Sequence, residues 1–253
     1  MRETPGRAVV VADAGALARE AAREFERRAK EAVAARGWFA VALSGGSTPR
    51  RLYALLADPA APFRAAIPWD RVHLFWGDER HVPPEDPRSN YRMVREELIS
   101  RVPIPAGNVH RIEAELPEAS EAAARYDAEL ARFFALGSAE FARFDLMLLG
   151  IGPEGHTASL FPGTTALQVR DKRVVENWVP KLNAFRITLT LPVFARAAAV
   201  LFLISGEDKA AILRMVFDPN GPADALPCQL IRPESGDLIW LADRAAAASL
   251  PPY

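Results

Sequence analysis

The chain has 253 residues, of which 31 are basic and 32 acidic, half are hydrophobic and one is cysteine. A net charge of −1 gives no footprint for nucleic acid or an anionic membrane surface. Cys228 alone excludes an internal disulfide, no apolar run approaches membrane length, and Met1 to Pro5 hold no signal-peptide core. A cytoplasmic protein with no membrane partner is expected, a monomer or weak homodimer, built as one domain over 1–253.

Val9, Val10 and Val11 predict a first strand, and 14–35, rich in Ala, Arg and Glu, predicts a long amphipathic helix. A continuous apolar strand follows over 38–43 and runs into Ser44-Gly45-Gly46-Ser47-Thr48-Pro49. Thr48 as N-cap and Pro49 at the first helical position predict a helix over 50–57. A strand at 72–76 ends on Gly77-Asp78-Glu79-Arg80. Next come a helix over 89–99, a short strand over 108–112, and a helix from Pro117 to Phe134. The last should bury Ala122, Ala123, Tyr126, Leu130 and Phe133 on one face.

Leu146 to Leu149 predicts a buried parallel strand. Strand-like stretches at 186–191 and 200–204, a helix over 208–217 and a strand at 238–241 complete the chain. The proline-rich pieces at 83–84 and 219–227 are too short to be domain linkers. Repeated alternation of continuous apolar strands with helices predicts an α/β fold, a mostly parallel sheet covered on both faces. Trp69, Trp76 and Trp240 flank strands and are expected in the core, as is Cys228.

The most telling stretch, 150–162, starts where the Leu146–Leu149 strand stops, the place where ligands sit in open α/β sheets. Gly150, Gly152 and Gly155 permit a sharp turn that carries a carboxylate, Glu154, and an imidazole, His156. The same residues spell G-x-G-x-x-G, with Glu176 placed to meet a ribose. Pro162 and Gly163, however, leave little room for the long helix of a dinucleotide fold.

Two further turns point to anion binding. Gly45 and Gly46, with Ser44, Ser47 and Thr48 at a helix start, can cradle a phosphate, although no Walker lysine follows. Asp78, Glu79 and Arg80 sit at another strand end, where the guanidinium can grip an anion and the acids can orient it. Arg186 is a further candidate. Lys209, in the first turn of a helix, is poorly placed for the helix dipole and can answer an external anion. The four histidines are scattered without metal-ligand spacing, and no G-x-S-x-G elbow exists, so neither a metal nor a serine nucleophile is expected.

Taken together these segments resemble the 6-phosphogluconolactonase family. The resemblance rests on Leu43 to Pro49, Trp76 to Pro83 with Ser89-Asn90-Tyr91, Gly150 to Pro162, Arg186 to Thr190, and Ser205 to Lys209. It implies a three-layer α/β/α Rossmann-like fold and hydrolysis of 6-phospho-D-glucono-1,5-lactone, without a cofactor. His156 is then base and later acid. Ser44, Gly45, Gly46, Ser47, Thr48, Asp78, Arg80, Arg186 and Lys209 hold the phosphate and sugar hydroxyls. The family commonly has Asp where this chain has Glu154, which leaves open whether Glu154 is catalytic or only orients. The related deaminases acting on glucosamine 6-phosphate continue the turn as Ile-Ala-Phe-Asn-Glu-Pro. Here Phe161 precedes the proline, and a phenyl ring cannot relay a proton. A sugar-phosphate-sensing module of the same fold would add a basic DNA-binding segment, for which the sequence shows no charge.

Overall fold

A computed structural model of the chain describes residues 6–218, 220 and 226–250. Met1 to Pro5, and most of the proline-rich piece at 219–227, lie outside the described residues. In chain order the elements are β1 (Arg7–Val11), α1 (Ala14–Arg36), β2 (Phe39–Leu43), α2 (Ser47–Ala57), α3 (Pro62–Ala66), β3 (Val72–Trp76), β4 (Asp78–Arg80) and α4 (Asn90–Glu97). There follow α5 (Ala119–Phe134), β5 (Leu146–Leu149), β6 (Val174–Val179), β7 (Ala184–Leu189), α6 (Leu191–Arg196), β8 (Ala199–Ile204), α7 (Ala210–Phe217) and β9 (Asp237–Asp243).

Six strands form a parallel sheet in the order β1-β9-β8-β5-β2-β3. Every residue of the interior strands β2, β5 and β8 is buried, which is why these segments carry no polar alternation. The chain moves one way across the sheet from β1 through β2 to β3, and the other way from β5 through β8 to β9. Right-handed crossovers, the rule for parallel strands, therefore place α1 and α2 on one face and α5 and α7 on the other. Consistent with this, α1 packs on α2. The fold is a mostly parallel sheet flanked by helices, as expected. The direction of winding reverses between β2 and β5, so their carboxyl ends open onto a crevice.

Local sequence explains the elements around that crevice. α1 starts at Asp13, whose Oδ1 accepts from the Ala16 N–H at 2.7 Å, and stops at Gly37 with φ 87°. Its buried face carries Leu17, Ala21, Phe25, Ala29 and Ala32 at helical spacing. The Phe25 ring meets Phe39 of β2 edge-on at 5.3 Å, a burial that contributes on the order of 2–3 kcal/mol. Two buried tyrosines tie down strand ends. The Tyr126 hydroxyl accepts from the Trp76 N–H at 2.9 Å and donates to the Trp76 carbonyl at 3.0 Å, satisfying an edge strand's outward groups.

Several expectations need correction. Residues 78–80 and 174–179 are strands, and with β7 they form a second, antiparallel sheet in the order β4-β7-β6. Gly77 is the joint: its N–H still donates to Leu43 of the main sheet at 2.9 Å, while its carbonyl accepts from Leu189 of the small sheet at 3.0 Å. Helix α2 is capped at Gly46, not Thr48, and begins at Ser47 because Gly46 supplies the φ of 108° that turns the chain. Residues 108–112 form only a single parallel bridge, Leu74 with Val109, after a 3₁₀ turn at Ala106–Asn108. α5 starts two residues beyond Pro117 and buries Ala122, Ala123, Tyr126 and Leu130 as expected, whereas Phe133 is partly exposed. A 3₁₀ turn, Glu207–Lys209, leads into α7. Trp69, Trp76, Trp240 and Cys228 are buried.

The histidines are scattered in sequence but not all in space. His73 Nδ1 lies 3.0 Å from His110 Nε2, and His110 Nδ1 lies 2.6 Å from Glu129 Oε1. This group sits away from the crevice, with His110 stacked on Phe75 at 4.3 Å.

Candidate active site

At the end of β2 the Ser44 carbonyl accepts from the buried Tyr53 hydroxyl at 2.9 Å, and the Ser44 N–H donates back to it at 3.1 Å. That pins the turn from inside the protein. Gly45 is needed because a Cβ there would collide with the Asn90 carboxamide. Asn90 is itself fixed, donating from Nδ2 to the Asp78 carbonyl at 3.0 Å. The N-terminus of α2 thus opens into a cavity of about 280 Å³, lined by Ser44, Gly45, Gly46, Asp78, Arg80 and Asn90. Gly150 to Pro153, His156 to Ala158 and Lys209 complete its lining.

The turn after β5 is tightly determined. Its backbone closes through Gly152 N–H to the His156 carbonyl at 2.9 Å and Gly155 N–H to Gly152 at 3.0 Å. The Thr157 hydroxyl donates to the Gly150 carbonyl at 2.9 Å. Ser159 donates to Asp78 Oδ2 at 2.6 Å, linking this turn to the small sheet. Asn177 Nδ2 holds the Ser159 carbonyl at 2.8 Å. Ala158 is kept at φ 47°, a left-handed conformation that costs about 1–2 kcal/mol without glycine and persists because the network around it enforces it.

His156 is held on three sides. Phe161, 7% exposed, stacks on one face with ring centroids 4.1 Å apart and planes 18° apart. The other face lies against Gly152, where a Cβ would collide with the imidazole. Along the edge, Nδ1 is 3.0 Å from Glu154 Oε2. Burial favours a neutral Glu154 carboxyl, but the Lys181 ammonium at 2.9 Å, the residue's own N–H and the His156 ring hold it down to about 2. An ionised carboxylate only accepts, so in the neutral ring Nδ1 carries the proton and Nε2 the lone pair. Nε2 has no hydrogen-bond partner among the described residues.

A second cavity, about 200 Å³, adjoins the first and shares Asp78, Arg80, Pro153, His156 and Ala158 with it. Glu154, Lys181, Leu182 and Arg186 complete its lining with Ser159 and Phe161. Arg80 and Arg186 are opposed across the β4–β7 ladder, and neither forms an ion pair among the described residues. Their guanidinium groups donate only to the backbone carbonyls of Arg88 and Phe185. Like charges so placed repel; burial, then the Arg80 charge, lowers the Arg186 pKa. Two unpaired guanidiniums at a cavity are suited to an anion.

The sites anticipated from sequence therefore converge, with exceptions. Ser47 and Thr48 line neither cavity and lie in the first turn of α2. Asp78 and Glu79 do not orient the Arg80 guanidinium. Glu79 is buried and accepts from the N–H groups of Arg80, Asn90 and Tyr91 at 2.7 to 2.8 Å, anchoring the start of α4. Glu176 lies on β6 and lines neither cavity, and a short 3₁₀ turn at Thr165–Gln168 stands where a dinucleotide fold needs a long helix. Lys209 lines the first cavity, its Nζ 3.1 Å from the exposed Asp208 carboxylate. Lys181 was not anticipated: it occupies an ordinary Pro-Lys-Leu-Asn turn, and only its position in space brings it to Glu154. Among the described residues no group of three or more His, Cys, Asp or Glu side chains is arranged to hold a metal ion.

A family model described as glucosamine-6-phosphate isomerases/6-phosphogluconolactonase matches residues 12–240. The chain belongs to this family. A 6-phosphogluconolactonase of Synechocystis sp. is 42% identical over 225 residues, covering 89% of this chain and 90% of the relative. The Homo sapiens 6-phosphogluconolactonase is 42% identical over 221 residues, covering 85% of this chain and 82% of its own. Among solved structures, the 6-phosphogluconolactonase from Trypanosoma brucei superposes with a TM-score of 0.85 at 27% identity, over 98% of this chain and 100% of that one.

Proposed function

We propose that the chain hydrolyses 6-phospho-D-glucono-1,5-lactone to 6-phospho-D-gluconate, a step of the pentose phosphate pathway. The observation that carries this reading is the imidazole clamped between Phe161 and Gly152, with Nδ1 on Glu154 and Nε2 unpaired among the described residues, in a ring that lines two joined cavities. The relatives named above support the choice of substrate.

Nε2 takes a proton from water as its oxygen attacks C1 of the lactone. The tetrahedral intermediate collapses by breaking the bond from C1 to the ring oxygen. That oxygen leaves with the proton now on Nε2, which restores the neutral ring. Glu154 stabilises the transient imidazolium and fixes the tautomer; held at about 2, it is too weak a base to activate water itself. Arg80 and Arg186 grip the phosphate, and Lys209 adds charge from the lining of the first cavity. Ser44, Gly45 and Gly46 meet sugar hydroxyls, and Asp78 lines both cavities and ties the turn after β5 to the small sheet through Ser159. Ser47 and Thr48 support the start of α2 without lining either cavity. Remote phosphate binding places C1 against the water. No cofactor takes part in these steps, and the enzyme works in the cytoplasm as a monomer or weak homodimer.

A deaminase or isomerase of amino-sugar phosphates needs a proton relay where Phe161 instead covers the imidazole. Freshly generated lactone, corrected for spontaneous opening, tests the reading. Wild-type protein should accelerate opening, and His156→Asn should lower kcat by roughly 10²–10⁴-fold. Ammonia release from glucosamine 6-phosphate without faster lactone opening would overturn it.

A further inference from the structure

Glu154 is the weak link in the arrangement around His156. A glutamate side chain has three rotatable bonds, and this one is a quarter exposed at 25%. One hydrogen bond to an imidazole does not fix such a chain against the rotamer entropy it regains by swinging into water. The structure supplies a second anchor. Lys181 Nζ is 2.9 Å from Oε1, the carboxylate oxygen that does not face His156.

The position of Lys181 is determined independently of Glu154. It lies in the 3₁₀ turn Pro180–Leu182, which joins the antiparallel strands β6 and β7. Pro180 fixes φ at the start of the turn, Asn183 closes it at φ 45°, and the Val179–Ala184 pair is the first rung of the ladder beyond it. The backbone that carries the lysine is thus the stiff end of a hairpin whose second strand bears Arg186. As a contribution to stability the ion pair counts for little, because the lysine side chain is 66% exposed. Its consequence is geometric. With both carboxylate oxygens engaged, turning the Glu154 carboxylate breaks two contacts instead of one, and the His156 ring that shares one of them is held more firmly.

We infer that Lys181 is a positioning residue, which acts through Glu154 to hold the His156 ring in one orientation, with Nε2 free to take the proton of the attacking water. This rests on the lactonase reading. A direct contact between Lys181 and the substrate phosphate is the competing role, since Lys181 also lines the second cavity.

Lys181→Met, Lys181→Arg, Glu154→Gln and the double variant Lys181→Met/Glu154→Gln separate the two. Positioning predicts that Lys181→Met lowers kcat by about fivefold with little change in KM, on the phosphorylated lactone and on unphosphorylated glucono-1,5-lactone alike. Lys181→Arg should restore most of the loss, and the double variant should be no slower than Glu154→Gln alone. A rise in KM confined to the phosphorylated substrate, or losses that multiply in the double variant, would overturn the inference. The ring ¹⁵N signals of His156 give a readout without turnover: Lys181→Met should replace one tautomer by a mixture. If wild-type protein does not accelerate lactone opening the functional reading fails, yet unchanged ring signals in Lys181→Met would still count separately against the positioning role.

Discussion

The molecule contains two histidine–glutamate pairs of the same chemistry in opposite situations. His156 Nδ1 meets Glu154 at 3.0 Å, its Nε2 has no hydrogen-bond partner among the described residues, and the ring lines a cavity. His110 Nδ1 meets Glu129 at 2.6 Å, but its Nε2 is taken up by His73 at 3.0 Å. Both rings stack on a phenylalanine, at 4.1 and 4.3 Å. Both also line a cavity, and the one beside His110, at about 510 Å³, is larger than either beside His156. Neither the pairing nor the hollow distinguishes them. The difference lies in the second nitrogen, free to exchange a proton in one ring and spent on structure in the other. The surroundings agree: Arg111, Arg125 and Arg132 near His110 are all matched by glutamates, whereas Arg80 and Arg186 near His156 form no ion pair among the described residues.

The sharpest way to break this contrast is to displace the His156 ring without touching it. Gly152→Ala puts a methyl where the imidazole lies, and kcat should fall by about 10²-fold, since misplacement by about 1 Å costs that much. Near-normal kcat would mean the clamp is unimportant. Next in size, Glu154→Gln should lower kcat about tenfold, because a neutral amide no longer stabilises the imidazolium. Glu129→Gln in the other pair should leave kcat within about twofold and lower the melting temperature instead. Steady-state kinetics beside thermal melts check both, and a kcat loss in Glu129→Gln would erase the distinction.

The smallest effect concerns pH and belongs to the structural pair. Burial, and then the neighbouring His110 charge, push His73 down to about 4. In the unfolded chain the ring takes up its proton near the usual value of about 6.5. The unfolded state therefore binds more protons between these values. Stability is fully present above about 6.5 and is lost as pH falls toward about 4. His73→Gln should shrink the drop in melting temperature between neutral and acid pH by about 2–4 °C. An unchanged drop would show that other groups carry the acid sensitivity.

Sequence made some of this visible and concealed the rest for identifiable reasons. Strands β2, β5 and β8 are fully buried, so their unbroken apolar runs announce both the strands and the parallel sheet. The turn at 150–162 combines glycines, an acid and an imidazole at a strand end, so the candidate site is legible residue by residue. The small sheet was not legible. β4 consists of Asp78, Glu79 and Arg80, a charged triplet whose strand conformation comes from pairing with residues more than a hundred positions away. The cap of α2 was misplaced because hydroxyl preference points to Thr48, while the turn's positive φ requires Gly46. Lys181 and the meeting of His73 with His110 are consequences of tertiary packing alone, with no local pattern to announce them.

The proposed chemistry at His156 depends on which of its nitrogens carries the proton. Two-bond ¹H–¹⁵N correlations of the imidazole, recorded on wild-type protein at a pH where the ring is neutral, measure this directly. The expected result is a protonated Nδ1 directed at Glu154 and an unprotonated Nε2. A neutral ring protonated at Nε2 would contradict it, because that nitrogen could not then accept a proton from water.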